Sequence, residues 1–217
     1  MGNLFNYNNP LIQTINKIAD CVILSLLWLL FSVPIITSGA STTALYYTVN
    51  KVIRHERSSL LKEFWRAFKS NFKQSTIVWL ILMVTGYVLG IDFIFVYNLI
   101  VNKTISAWVL APFVMTALFV VMWTIYVFPY IARFQNGLKA IIKNCAILVI
   151  THFLKSVLLV LLFAVSIVAL LYLPISILCI PVLSMLLASL ILENIFKKYM
   201  SDEDLAAEEA RNRISYN

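Results

Sequence analysis

Charge is scarce in this chain. Only 12% of its 217 residues are Asp, Glu, Lys or Arg, about half the ~25% of a typical soluble domain, while 61% are hydrophobic. That shortage excludes an ordinary cytosolic enzyme and a disordered tail, and it places the chain in a membrane. Cysteine is limited to Cys21, Cys145 and Cys179. They are far apart, lie in apolar surroundings and form no C-x-x-C pair, which excludes a secreted disulfide scaffold and a cysteine metal cluster. Histidine occurs twice, at His55 and His152. No G-x-x-x-x-G-K-[ST], H-E-x-x-H or G-x-S-x-G motif is present, so no catalytic, cofactor or metal site is expected and any use of ATP would require another chain.

Long apolar runs are what the sequence has instead. Backbone polar groups in hydrocarbon must be satisfied within the protein, and runs this long are helices rather than barrel strands. The expected fold is therefore an all-α polytopic transmembrane helical bundle, a single domain over residues 1–199. Spans are expected at about 75–98 and 104–132, each exceeding the ~20 residues that cross a core about 30 Å thick. From Val157 to Leu192 the chain carries no charge. Pro174 and Pro181 interrupt that run, which predicts two further spans at about 140–172 and 176–198, joined by a tight turn.

The first 56 residues allow two readings. In one, a single helix crosses at about 18–36 and a broken hydrophobic hairpin follows, giving five spans. In the preferred one, a helix over about 11–33 starts just after Pro10, turns at Pro34 to Ser38, and returns over 39–55, giving six. A cleaved leader ending near Ser38-Gly39-Ala40 is a third, minor reading.

The net charge of +7 reports orientation rather than nucleic-acid binding, because basic loops stay on the cytoplasmic side. The densest basic stretch is the loop over 56–74. Within it, Phe64, Trp65, Phe68 and Phe72 recur at helical spacing while Arg66, Lys69 and Lys73 hold the other face, the pattern of an interfacial amphipathic helix over about 58–73. Ser58 or Ser59 is positioned to cap it. Its contacts are expected to be anionic lipid or a partner protein. An acidic tail over 200–217, helical near Ala206 to Arg213, is placed in the cytoplasm with the C-terminus.

Small residues four apart mark helix contact faces in lipid. Gly39 with Thr43, Ala40 with Ala44, and Gly86 with Gly90 fit that pattern, the last serving internal packing or a homo-oligomer. Pro34, Ser41, Thr42 and Thr43 form a broken, hydroxyl-rich segment of the kind that lines a cavity or satisfies its own backbone. Asp92 is the intramembrane charge hardest to explain by local pairing. Asp20 has Lys17 three residues away, Glu193 has Lys197 four residues away, and His152 near Lys155 is a minor candidate for a proton relay.

The segment from Pro34-Ile-Ile-Thr-Ser-Gly-Ala-Ser-Thr-Thr-Ala-Leu-Tyr to Tyr47, followed by Lys51, Arg54 and then Phe64-Trp-Arg-Ala-Phe-Lys-Ser-Asn-Phe-Lys-Gln74, resembles the YesL-like family of small bacterial membrane proteins, a family defined by a domain of unknown function. The resemblance implies a multi-pass protein of the bacterial cell membrane. Genes of that family often neighbour those for carbohydrate importers, which implies a non-enzymatic accessory or assembly role beside permease subunits of such a system. The alternative expectation is an autonomous small-solute transporter or channel whose cavity is lined by Ser41, Thr42, Thr43 and Asp92.

Overall fold

A computed structural model describes residues 10–54, 59–103, 106–134 and 136–200. Ser58 and the acidic tail, including the stretch Ala206 to Arg213, lie outside the described residues. Those described form seven α-helices and no strand: α1 (Pro10–Ser32), α2 (Ser38–Thr48), α3 (Leu60–Val101), α4 (Leu110–Arg133), α5 (Leu138–Thr151), α6 (Phe153–Tyr172) and α7 (Ile180–Phe196). The fold is a helical bundle, as composition required. Five helices are long and apolar enough to cross a bilayer: α1, α3, α4, α6 and the α7 segment to Tyr199. Neither α2 nor α5 is among them, so the count falls on five spans plus a short helix rather than on six.

Three boundaries differ from expectation, each for a physical reason. The amphipathic stretch over 58–73 is not a separate interfacial helix. It is the beginning of α3, whose 42 residues run about 63 Å at 1.5 Å per residue, twice the hydrocarbon thickness. Polarity changes at Gln74 and Ser75, but no Gly or Pro stands there to break the backbone ladder. Ser59 holds the cap position with extended backbone, yet its side chain makes no capping hydrogen bond.

The fifth span, expected at 140–172, is divided. Backbone torsions of −117° and 41° at His152 separate α5 from α6, after the β-branched run Val149-Ile150-Thr151, whose side chains crowd a helical turn. Only α6 is long enough to cross. The third difference is the helix over 39–55, which ends its α-form at Thr48 and continues as a π-turn over Val49–Ile53, closed by Arg54 N–H donating to the Val49 carbonyl at 3.0 Å.

Helix direction follows from the contacts. The ring of Phe31, near the end of α1, lies 5.7, 5.5 and 5.0 Å from those of Phe64, Trp65 and Phe68 at the start of α3. Thus α1 arrives where α3 departs, and α2 remains beside that junction. Helix α4 returns to the same end, where the Gln74 side-chain amide donates to the Asn136 carbonyl. Helix α5 also ends there, since His152 meets the Tyr199 hydroxyl just beyond α7 at 3.2 Å. Lys51, Arg54, Arg133, Lys197 and Lys198 share this basic end, whereas Lys103 sits at the far end of the α3–α4 hairpin.

The core is concentrated in the basic half, around α2. In α3 the buried positions fall between Leu60 and Leu82, with Val96 the exception; in α4 they run from Met122 to Ile131. In α6 only Ser156 and Leu159 are buried. Farther out, Tyr87, Phe95, Leu171 and Tyr172 are exposed, an arrangement that lipid tails tolerate because they are as apolar as the side chains.

Candidate functional site

The Pro34-to-Tyr47 segment owes its position to small side chains. A Cβ added at Gly39 would stand 2.7 Å from the Trp79 Cβ, 2.8 Å from the Ser75 carbonyl oxygen and 2.9 Å from the Phe128 ring. Without one, α2 packs directly on α3 and α4. Pro34 opens a single 3-10 turn over Ile35–Thr37, and its carbonyl accepts from Thr37 N–H and Oγ1, both at 2.8 Å.

The neighbouring hydroxyls turn inward to the protein. Ser41 donates to the Trp28 carbonyl at 2.9 Å and Thr42 to the Ser38 carbonyl at 2.8 Å. Thr43 meets the Gly39 carbonyl at 3.0 Å and the Ser75 hydroxyl at 2.8 Å. Thr42 lines a cavity of about 210 Å³, but Ser41, Thr43 and Asp92 do not. Asp92 is exposed on the outer part of α3, in the splayed half of the bundle. Asp92 thus stands apart from the hydroxyls of Ser41, Thr42 and Thr43.

What the turn after α2 does assemble is a pair of buried carboxylates. Glu193 of α7 is 1% exposed. Its Oε1 accepts from the Tyr46 hydroxyl at 2.8 Å and from Asn50 Nδ2 at 2.9 Å, while Arg133 Nη2 stands 3.4 Å from Oε2. This replaces the local pair with Lys197 that spacing suggested. Glu63 of α3 is 4% exposed; its Oε2 lies 2.9 Å from Lys51 Nζ and 3.2 Å from Arg66 Nη2. Arg66 also donates to the Tyr47 hydroxyl at 2.6 Å.

Asn50 and Lys51 lie in the π-turn, whose extra residue per turn directs neighbouring side chains to different helices. One clamp thus fastens the end of α2 to α7 and α4, the other to α3. Removing the cations instead would leave the buried carboxylates uncompensated, since Lys51 and Arg133 are half-buried and Arg66 is exposed. Glu63, Arg133 and Tyr46 are not site candidates in the sequence, and Lys51 enters there only through the family resemblance. The one available signal was a pair of carboxylates inside otherwise apolar or basic helices.

The aromatic residues of early α3 divide by depth. Phe64 and Phe68 are buried against Phe31, whereas Trp65 and Phe72 are exposed. Lys69 Nζ sits 4.8 Å above the Trp65 ring, and Trp65 stacks on Phe68 with centroids 5.8 Å apart. Lys69 and Lys73 are exposed as well. The result is a rigid aromatic and basic face beside the clamps. On the outer part of α3, Gly86 and Gly90 face open space: a Cβ added at either would meet nothing within 4 Å among the described residues.

His152 lies between α5 and α6. Partial burial, then the neighbouring Lys155 and Lys198, holds its imidazole below the ordinary value of 6.5. The three cysteines are free thiols, and no group of three or more His, Cys, Asp or Glu gathers as metal ligands among the described residues.

Residues 21–93 match a protein family described as Protein of unknown function, DUF624. The match covers α1 from Cys21, all of α2 and α3 as far as Phe93, including the Glu63 clamp and the aromatic face. Arg133 and Glu193 lie beyond it. No curated protein and no solved structure matches the chain.

Proposed function

We propose that this membrane protein is a YesL-like, non-enzymatic accessory or assembly partner of a carbohydrate ATP-driven import system, held in the bacterial cell membrane with its basic end in the cytoplasm. The resemblance of the Pro34–Tyr47 and Phe64–Gln74 segments supports the family and its link to importers. The basic end supports the orientation, since all Lys and Arg except Lys17 and Lys103 belong to that side under the positive-inside rule.

The observation that carries the docking role is the exposed face of Trp65, Lys69 and Phe72. It stands on a helix locked in place by the Glu63 clamp and by the buried rings of Phe64 and Phe68. Exposed aromatic residues on rigid backbone are the usual anchors of interfaces, and a single such Trp contributes on the order of 2 kcal/mol when it is enclosed by a partner. Lys69 and Lys73 add attraction toward an acidic partner surface.

Affinity purification in a mild detergent tests this reading. Tagged protein should recover permease subunits of a carbohydrate importer, and the Trp65→Ala/Phe72→Ala double variant should recover at least about fivefold less at equal protein yield. Absence of any permease subunit from the wild-type eluate would overturn it.

A further inference from the structure

The cavity beside α2 is separate from the aromatic face and has a different chemistry. It is bounded by Trp79 of α3, Ile125 and Phe128 of α4, Phe163 of α6, and Met185 and Leu192 of α7. On α4 those positions lie within the packed stretch Met122 to Ile131, and on α6 at the middle of the helix, where burial ends. Its volume of about 210 Å³ exceeds the roughly 150 Å³ of a dry apolar cavity that takes up benzene. A void of that size without an occupant would deprive its wall of dispersion contacts.

The polar atoms in its wall already have partners or lie on the backbone. Thr42 donates to Ser38 and accepts from Trp28 Nε1 at 3.3 Å. Thr124 donates to the Val120 carbonyl at 2.8 Å. Pro129, inside α4, has no amide hydrogen, so the Ile125 carbonyl lacks its usual helical donor. No charged or amide side chain lines the space. A sugar entering it would leave most of its hydroxyls without partners, whereas a hydrocarbon chain would leave none.

From the volume, the apolar wall and the satisfied threonines, we infer that this cavity is a binding site for one acyl chain of a membrane lipid, which enters from the splayed side of the bundle. The bound chain fills the space bounded by α3, α4, α6 and α7.

Photolabelling of the detergent-solubilised full chain tests the inference, using a phosphatidylglycerol with a diazirine midway along one acyl chain and peptide mapping by mass spectrometry. Labels should concentrate on residues 124–129 and 185–192, and excess oleate should remove at least fivefold of that signal. Labels on the exposed residues Ile91 to Phe95 and Tyr97 should persist. Thr124→Phe, which fills the cavity from α4, should abolish the first set and spare the second, and Met185→Phe provides the same test from α7 where Thr124→Phe does not fold. Uniform labelling that oleate does not displace, or displacement by a soluble disaccharide as effective as by oleate, would overturn the assignment. Either result is independent of whether permease subunits bind the aromatic face.

Discussion

At the scale of single residues, burial separates positions that look alike in the sequence. Gly39, Gly86 and Gly90 all read as helix contact residues, yet only Gly39 meets other side chains. Gly39→Ala should therefore lower stability by about 1–3 kcal/mol, the usual cost of overpacking, whereas Gly86→Ala and Gly90→Ala should change it by less than about 0.5 kcal/mol. Thermal unfolding in one detergent measures all three. The Glu193 clamp predicts a coupling. Arg133→Met should destabilise by roughly 3 kcal/mol, because Glu193 is left charged and buried, and Glu193→Gln by less, because Arg133 keeps partial exposure; the double substitution should lose clearly less than the sum. For His152 the depressed imidazole has a definite sign. It is neutral at pH 7, so its contribution to stability is complete above pH 6.5 and is lost as pH falls below that through the folded value. An NMR titration should place its midpoint below 6.5, and Lys198→Gln should move that midpoint up.

At the scale of elements, α3 and the π-turn carry the aromatic face and the two clamps. Spin labels at Lys62 and Tyr97 should stand about 52 Å apart along one continuous helix at 1.5 Å per residue. A flat interfacial helix followed by a separate span would bring them to roughly 40 Å, so pulsed dipolar spectroscopy distinguishes the two. The sequence displayed the amphipathic face correctly but not its continuity, because periodicity reports which side of a helix is wet and does not report whether the helix ends. The α5–α6 break was similarly hidden, since no Gly or Pro stands near His152. The turn at Pro34 to Ser38 was legible because proline removes a backbone donor whatever surrounds it. The π-turn was not, since its extra residue is held by Asn50 and Lys51 reaching Glu193 and Glu63, partners more than 140 and about a dozen residues away.

At the scale of the whole molecule, five candidate spans among the described residues predict termini on opposite sides of the membrane. Fusion of a reporter to each terminus should show the N-terminus outside and the C-terminus in the cytoplasm; both on one side would restore the six-span arrangement. The scarcity of charge determined by itself that the chain is a helical membrane bundle, because a backbone in hydrocarbon has almost no other way to satisfy its hydrogen bonds. The distribution of basic residues determined which end they share. Only the tertiary structure decided that α2 is the centre of the core, that Glu63 and Glu193 clamp it, that Thr42 alone of the hydroxyl segment borders the cavity, and that Asp92 stands apart. Those are matters of which helix faces which, and in a lipid solvent that choice rests on close packing and on a few buried ion pairs between residues distant in the chain. Local composition and periodicity carry no record of them.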